Sequence, residues 1–152
     1  MKLAARACAV MMLVCLSGGA MAQDAKKAIE YRQSVFKVIV WDFGVMGAMV
    51  KGEKDFDAKD FARRAERVAD MAPRIAEGFP AGSDMADIET RAKPEIWSDA
   101  AGFKQAWQRL VDETEKLAMV AKSGDEAAMK KQFAATGKAC KGCHDDYRKP
   151  KS

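Results

Sequence analysis

Hydrophobic residues recur in this chain at three-and-four spacing in four separate blocks, and no convincing run alternates with period two. The sequence can therefore bury its apolar side only as packed helices. In the first block, Ala25 to about Val50, the residues Ile29, Phe36, Val40, Phe43, Gly47 and Val50 fall along one side, and Gly52 with the EKDFD run ends it. The second, about Asp57 to Glu77, aligns Phe61, Ala65, Val68, Ala72 and Ile75, and Pro73 is expected to kink its last turn because proline lacks an amide donor. The third follows Pro94, with Ser98 the expected N-cap, and turns Ile96, Phe103, Trp107, Leu110, Val111, Thr114, Leu117 and Ala121 inward. Gly124 suits the left-handed position after a helix and Asp125 an N-cap, so a fourth helix starts there and runs from about Glu126 to Lys149. Helices of this size, ~30 to 40 Å long, pack with short connections as an antiparallel up-down-up-down four-helix bundle, and the fold class is all-α. Gly78 to Lys93 is the longest irregular stretch and reads as a crossover beside a site. Trp41, Trp97 and Trp107 read as large apolar anchors.

The first 22 residues stand apart. Lys2 and Arg6 precede an apolar core from Ala7 to Leu16, and small residues fill Ser17 to Ala22. That layout predicts a secretory signal peptide cut before Gln23, since the core is shorter than the ~20 apolar residues a membrane span needs. A mature chain of residues 23–152 would be one domain, without an internal membrane span, in the periplasm, where thiols tend to be oxidised. Its formal charge falls from +4 to +2 with the loss of Lys2 and Arg6. Charges of both signs are interspersed and no basic stripe with interleaved aromatics occurs, so nucleic acid is not an expected partner.

Cleavage would also remove Cys8 and Cys15, leaving Cys140 and Cys143 beside the single histidine, His144. On a helix, positions i, i+3 and i+4 share a side, the one that also presents Met129, Phe133, Thr136 and Tyr147. Three chemistries use such residues. Zinc in a closed site takes four nitrogen or sulfur ligands, and only three are present unless Asp145 or Asp146 joins them. A dithiol oxidoreductase places C-x-x-C at a helix start after a strand, and this chain has it near its end among helices. Covalent haem c fits best: two thioethers fix the plane of the macrocycle and the adjacent imidazole reaches the iron. With one histidine, bis-histidine ligation is excluded. The sixth position is then open, weakly filled, or taken by lysine or by one of Met46, Met49, Met71, Met85, Met119 and Met129, all of which serve equally as core or loop residues.

Three stretches together, YRQSVFKVIVWDFGVMGAMVKG in the first helix, TRAKPEIWSDAAGFKQ at the start of the third and ACKGCHDDYRK at the end, closely resemble the cytochromes c′. The resemblance covers essentially the whole chain after the leader. It implies one haem c attached through Cys140 and Cys143, with His144 as the iron ligand. It also implies a homodimer packed through the first helices and an apolar screen on the face of the iron opposite His144. Arg32 and Gln33 match the pair that contacts the haem propionates, and an arginine fork suits a carboxylate. Phe36 matches the distal screening position, often leucine in the family. Thr90, with its neighbours Glu89 and Arg91, lies where the family's loop reaches the haem edge. Arg148 matches the basic residue beside the histidine, and a solvated cation at a helix C-terminus explains it equally.

The function so implied is one-electron transfer together with binding of NO, and often CO, at an open distal site, with a redox partner that the sequence does not identify. The alternative is a low-spin carrier of the c556 type in which Met46 or Met49 completes the sphere. Phe36 opposes that reading, because a phenyl ring cannot bind iron. An enzyme with a defined substrate is not expected, since a haem peroxidase would need an acid–base residue and the chain has no second histidine.

Overall fold

The computed structural model describes the backbone of residues 17–84 and 88–150, and side chains from Asp24 onward. Most of the leader thus lies outside the described residues. Four long helices form the molecule: α1 (Ser17–Lys51), α2 (Ala58–Met71), α4 (Ala100–Ala121) and α5 (Glu126–Tyr147). A single short helix, α3 (Glu95–Ser98), precedes α4. Each long helix packs on the next in sequence, across short turns at α1–α2 and α4–α5 and across the long crossover between α2 and α4. Between α1 and α5 the backbones scarcely approach. These two meet instead through Phe43 of α1, stacked on Phe133 of α5 with ring centroids 4.1 Å apart.

Local chemistry sets the element ends. Asp57 caps α2 by accepting from the amides of Lys59 and Asp60, and Asp125 caps α5 through the amide of Ala128. Gly124, at φ 72, makes the turn between α4 and α5, where a side chain would be strained. Pro73 does not kink α2. The helix tightens there into a 3-10 helix, Ala72–Gly78, with the proline in its first turn, where a missing amide costs nothing. Ser98 is not a cap either. It closes α3, and Asp99 caps α4 by accepting from the amide of Gly102.

The buried faces of α2 and α4 match the expected ones, with Phe61, Ala65, Val68, Leu110, Val111 and Leu117 in the core and Phe103 and Trp107 half-buried. In α1 the buried stripe is rotated from the expected one. It runs through Ile29, Arg32, Val35, Ile39, Asp42, Met46 and Met49, whereas Phe36, Phe43, Gly47 and Val50 are half-buried and Val40 is 67% exposed. Two charged residues inside the stripe account for the difference, because a hydropathy pattern places them outward. Asp42 takes hydrogen bonds from Arg64 (2.9 Å) and from two nitrogens of Arg67 (2.9 and 2.6 Å), which fastens α1 to α2. Burial of this carboxylate is compensated, as burial of charge must be. Trp41, expected as an anchor, is instead 70% exposed, while Trp97 and Trp107 do anchor, donating to the carbonyls of Pro80 and Ala72. From Asp24 to Lys51, α1 is long and apolar enough to cross a membrane by length and composition, yet it buries its stripe against α2 and the 3-10 helix.

Candidate functional site

Helix α5 carries Cys140, Cys143 and His144 on one half-buried side near its end. Both cysteines are free thiols. Cys140 packs against the main core, whose flank includes Phe36, Phe43 and Phe133, and Cys143 packs against a second cluster formed by Ile96, Ala106 and Tyr147 with Phe79, Trp97 and Phe103 around it. Burial first, and then its neighbour Cys143, push the Cys140 thiol up to about 11, and burial also raises Cys143. Burial lowers His144, and the positive charges of Arg148 and Arg91 lower it further. Below the pair, the Tyr147 hydroxyl donates to Asp99 at 2.8 Å and is held up at about 12 by burial and that bond.

Arg32, almost fully buried on α1, reaches into the Gly78–Lys93 segment. One terminal nitrogen donates to the Gly78 carbonyl and the Ser83 hydroxyl, both at 3.0 Å. The other donates to the Ser83 carbonyl at 3.2 Å and the Thr90 hydroxyl at 3.1 Å. Its guanidinium lies 4.7 Å from the centroid of Phe79 and 5.7 Å from that of Trp97. Gly78 permits the approach, since a Cβ there would sit 2.4 Å from Cβ of Arg32. Among the described residues no carboxylate lies within ion-pairing distance of this cation, and burial lowers its pKa. Gln33 donates to the Glu89 carbonyl at 3.1 Å.

The same segment continues to the end of α5. Arg91 donates through two nitrogens to the Lys149 carbonyl (2.9 and 2.7 Å), and the Lys149 amide returns a bond to the Arg91 carbonyl at 2.8 Å. The Lys93 amide donates to the Tyr147 carbonyl at 3.1 Å, and its ammonium caps the carbonyls of Asp145 and Asp146. Ala92 and Arg148 face each other in an isolated antiparallel bridge. Residues 89–93 are therefore a strap: one end holds Arg32 and Gln33, the other holds the last turn of α5 with His144.

The structure thus joins Arg32, Gln33 and Thr90 in one network and places Arg148 beside His144, while Phe36 lies half-buried on the core flank that also receives Cys140. Sequence reasoning missed Ser83, Phe79 and Lys93, and it named Arg91 only as a neighbour of Thr90 in the loop. A Gly- and Pro-rich crossover with aromatics at its borders was the available signal, and it marks the segment without naming its contacts.

A protein-family model described as Cytochrome C' matches residues 27–148. The chain belongs to the cytochrome c′ family. The cytochrome c′ of Rubrivivax gelatinosus is 43% identical over 126 residues, covering 83% of this chain and 97% of the relative, and that of Halomonas halodenitrificans is 40% identical over 129 residues, covering 82% and 98%. Among solved structures, cytochrome c prime from Shewanella frigidimarina superposes with a TM-score of 0.79 at 48% identity, covering 83% of this chain and 97% of that one. A nitric oxide complex of a variant from Alcaligenes xylosoxidans matches with a TM-score of 0.76 at 36% identity, covering 84% and 97%.

Haem c is the cofactor of this family, and the residues present fit it. Two free thiols and an imidazole share one side of α5, the backbones of α1 and α5 stand apart beside them, and a buried guanidinium with Asp84 near but no carboxylate in ion-pairing distance suits an anionic substituent. Zinc is less well served: among the described residues no group of three or more His, Cys, Asp and Glu could hold a metal ion.

Proposed function

We propose that this chain is a periplasmic cytochrome c′ with a five-coordinate, high-spin centre that transfers single electrons and binds NO, and also CO. When bound, haem c supplies a reversible one-electron couple and an open axial position for a neutral diatomic. Cys140 and Cys143 would hold it through thioethers and His144 would ligate the iron. Arg32, supported by Gln33 and Thr90, would neutralise a propionate, and Phe36 would exclude water from the distal face. Arg148 would hold positive charge beside His144. The observation that carries the reading is the common side of Cys140, Cys143 and His144, set between two apolar clusters. The solved nitric oxide complex of a relative supports gas binding.

Met46 and Met49 do not favour the six-coordinate alternative. Both are fully buried in the core at the level of Phe133, which precedes His144 by about 16 Å along α5. Met129 is likewise buried, Met119 is exposed, and Met85 lies outside the described residues. A homodimer through α1 is supported by Val38, Val40 and Trp41, apolar and 43, 67 and 70% exposed on one helix. Export follows from the leader pattern of residues 1–22. No second histidine offers acid–base help, so a defined enzymatic substrate is not part of the proposal.

Optical spectra of the ferric and ferrous protein, before and after NO, test the assignment. Broad high-spin bands that shift with NO are expected. Sharp low-spin bands indifferent to NO would establish a strong sixth ligand and overturn it.

A further inference from the structure

Cations on the rest of the surface often face a carboxylate, as in Lys26–Glu30, Arg63–Asp60, Lys122–Glu66 and Lys130–Glu126. Around the last turn of α5 that balance stops. Arg91, Lys93, Arg148 and Lys149 line a concave cleft of about 350 Å³ with His144 in its wall, and among the described residues none of the four is ion-paired. Asp145, which also lines the cleft, is already engaged by Lys141, and Asp146 on the same turn is outside the lining. Arg91 and Lys93 are held in place by backbone carbonyls, so their charge is fixed in space, while the exposed Arg148 and Lys149 side chains make no hydrogen bond among the described residues. Repulsion from Arg91 adds to burial in lowering the pKa of Arg148, as expected where positive charge is uncompensated.

We propose that this cleft is the docking site for a one-electron donor protein that presents a carboxylate-lined face, and that the electron enters beside His144. The inference rests on the electron-transfer reading above. Its physical basis is twofold. Fixed, unpaired cations in a concavity focus attraction for an anionic face and speed encounter, and His144 is the residue through which the cleft touches the expected iron ligation. The transfer moves one electron from the reduced donor to the ferric centre, with no bond made or broken. The exposed residues Val38, Val40 and Trp41 of α1 are apolar, so the partner chemistry here is distinct from that of self-association.

Two trivalent oxidants of opposite charge, hexacyanoferrate(III) and tris(phenanthroline)cobalt(III), test the site by stopped-flow oxidation of the ferrous holoprotein at low ionic strength. The variant Arg148→Gln with Lys149→Gln is compared with Lys59→Gln with Lys131→Gln, which removes equal charge from the opposite end of the bundle. For the cleft variant we expect oxidation by the anion to slow roughly fivefold and by the cation to quicken, both effects fading in salt. The control variant should change by less than about twofold. Equilibrium dialysis with redox-inert hexacyanocobaltate(III) should show the same loss of binding for the cleft variant alone.

Equal slowing in both variants would overturn the proposal, as would parallel changes with both oxidants, which would report an altered potential in place of docking. A reductive titration in parallel separates the two levels. A protein that cycles normally but ignores the cleft substitutions refutes the docking site only, and one that does not cycle refutes the electron-transfer reading.

Discussion

Asp42→Ala removes the carboxylate that locks α1 onto α2, and its cost can be worked from the contacts. Three hydrogen bonds from two guanidiniums converge on a side chain that is 3% exposed. Removing one partner of a buried ion pair costs roughly 3–5 kcal/mol, because the other charge is left unpaired. Here Arg67 is 42% exposed and recovers water, and Arg64 keeps its bond to Asp60, so the lower end, about 3 kcal/mol, applies. In urea, at an m value of about 2 kcal/mol/M, the midpoint should fall by about 1.5 M. The pH dependence gives an independent sign. The bonds from Arg67 hold the Asp42 carboxyl below its usual range against the opposing effect of burial, so the folded pKa lies below the unfolded one. The stability it contributes is complete above the unfolded value of about 3.9 and is lost as pH falls through the folded pKa. Urea melts of both proteins between pH 6 and pH 3 should therefore show a gap that is constant at the upper end and narrows once pH falls below the unfolded value. A loss under about 1 kcal/mol, or a gap that stays constant with pH, would refute the account of α1 as charge-fastened.

Other residues make shorter predictions. Gly78→Ala forces a Cβ to within 2.4 Å of Arg32 and should lower stability by about 1–3 kcal/mol in thermal melts followed by circular dichroism. Phe36→Leu, by trimming the half-buried screen, should raise the CO association rate about tenfold in flash photolysis, equivalent to about 1.4 kcal/mol of barrier; an unchanged rate would remove Phe36 from the distal face. Trp41→Glu should leave helicity intact, because the side chain is 70% exposed, and should convert dimer to monomer in sedimentation velocity. If the wild-type protein sediments as a monomer, the α1 interface is refuted.

The helices of this protein were legible because their stripes are apolar and their ends carry ordinary signals. Phe61, Ala65 and Val68 in α2, and Asp125 before α5, needed nothing beyond spacing and capping chemistry. The C-x-x-C-H motif pointed to haem c by residue type together with its place near the end of an all-helical chain. What could not be read is whatever depends on a distant partner. Arg32 and Asp42 are buried only because residues 46 positions away, at Gly78, and 22 positions away, at Arg64, compensate them, and hydropathy sees neither. The exposure of Trp41 belongs to the same class, since a tryptophan in a helix gives no local sign of which face it occupies. Thr90 was placed near the site by resemblance, and the geometry links it to Arg32 directly.

The strap has a consequence for how the chain comes to rest. Thr90 lies 58 residues from Arg32, and Arg91 lies 58 residues from Lys149, so adjoining residues close two loops of equal length on opposite sides of the chain's middle. Each closure carries a length-dependent entropy of about 3.6 kcal/mol, repaid only after the four helices are nearly in place. Helical hairpins built from neighbours in sequence can settle early, on local contacts alone. The centre of the sequence settles late, because both of its closures wait on those hairpins.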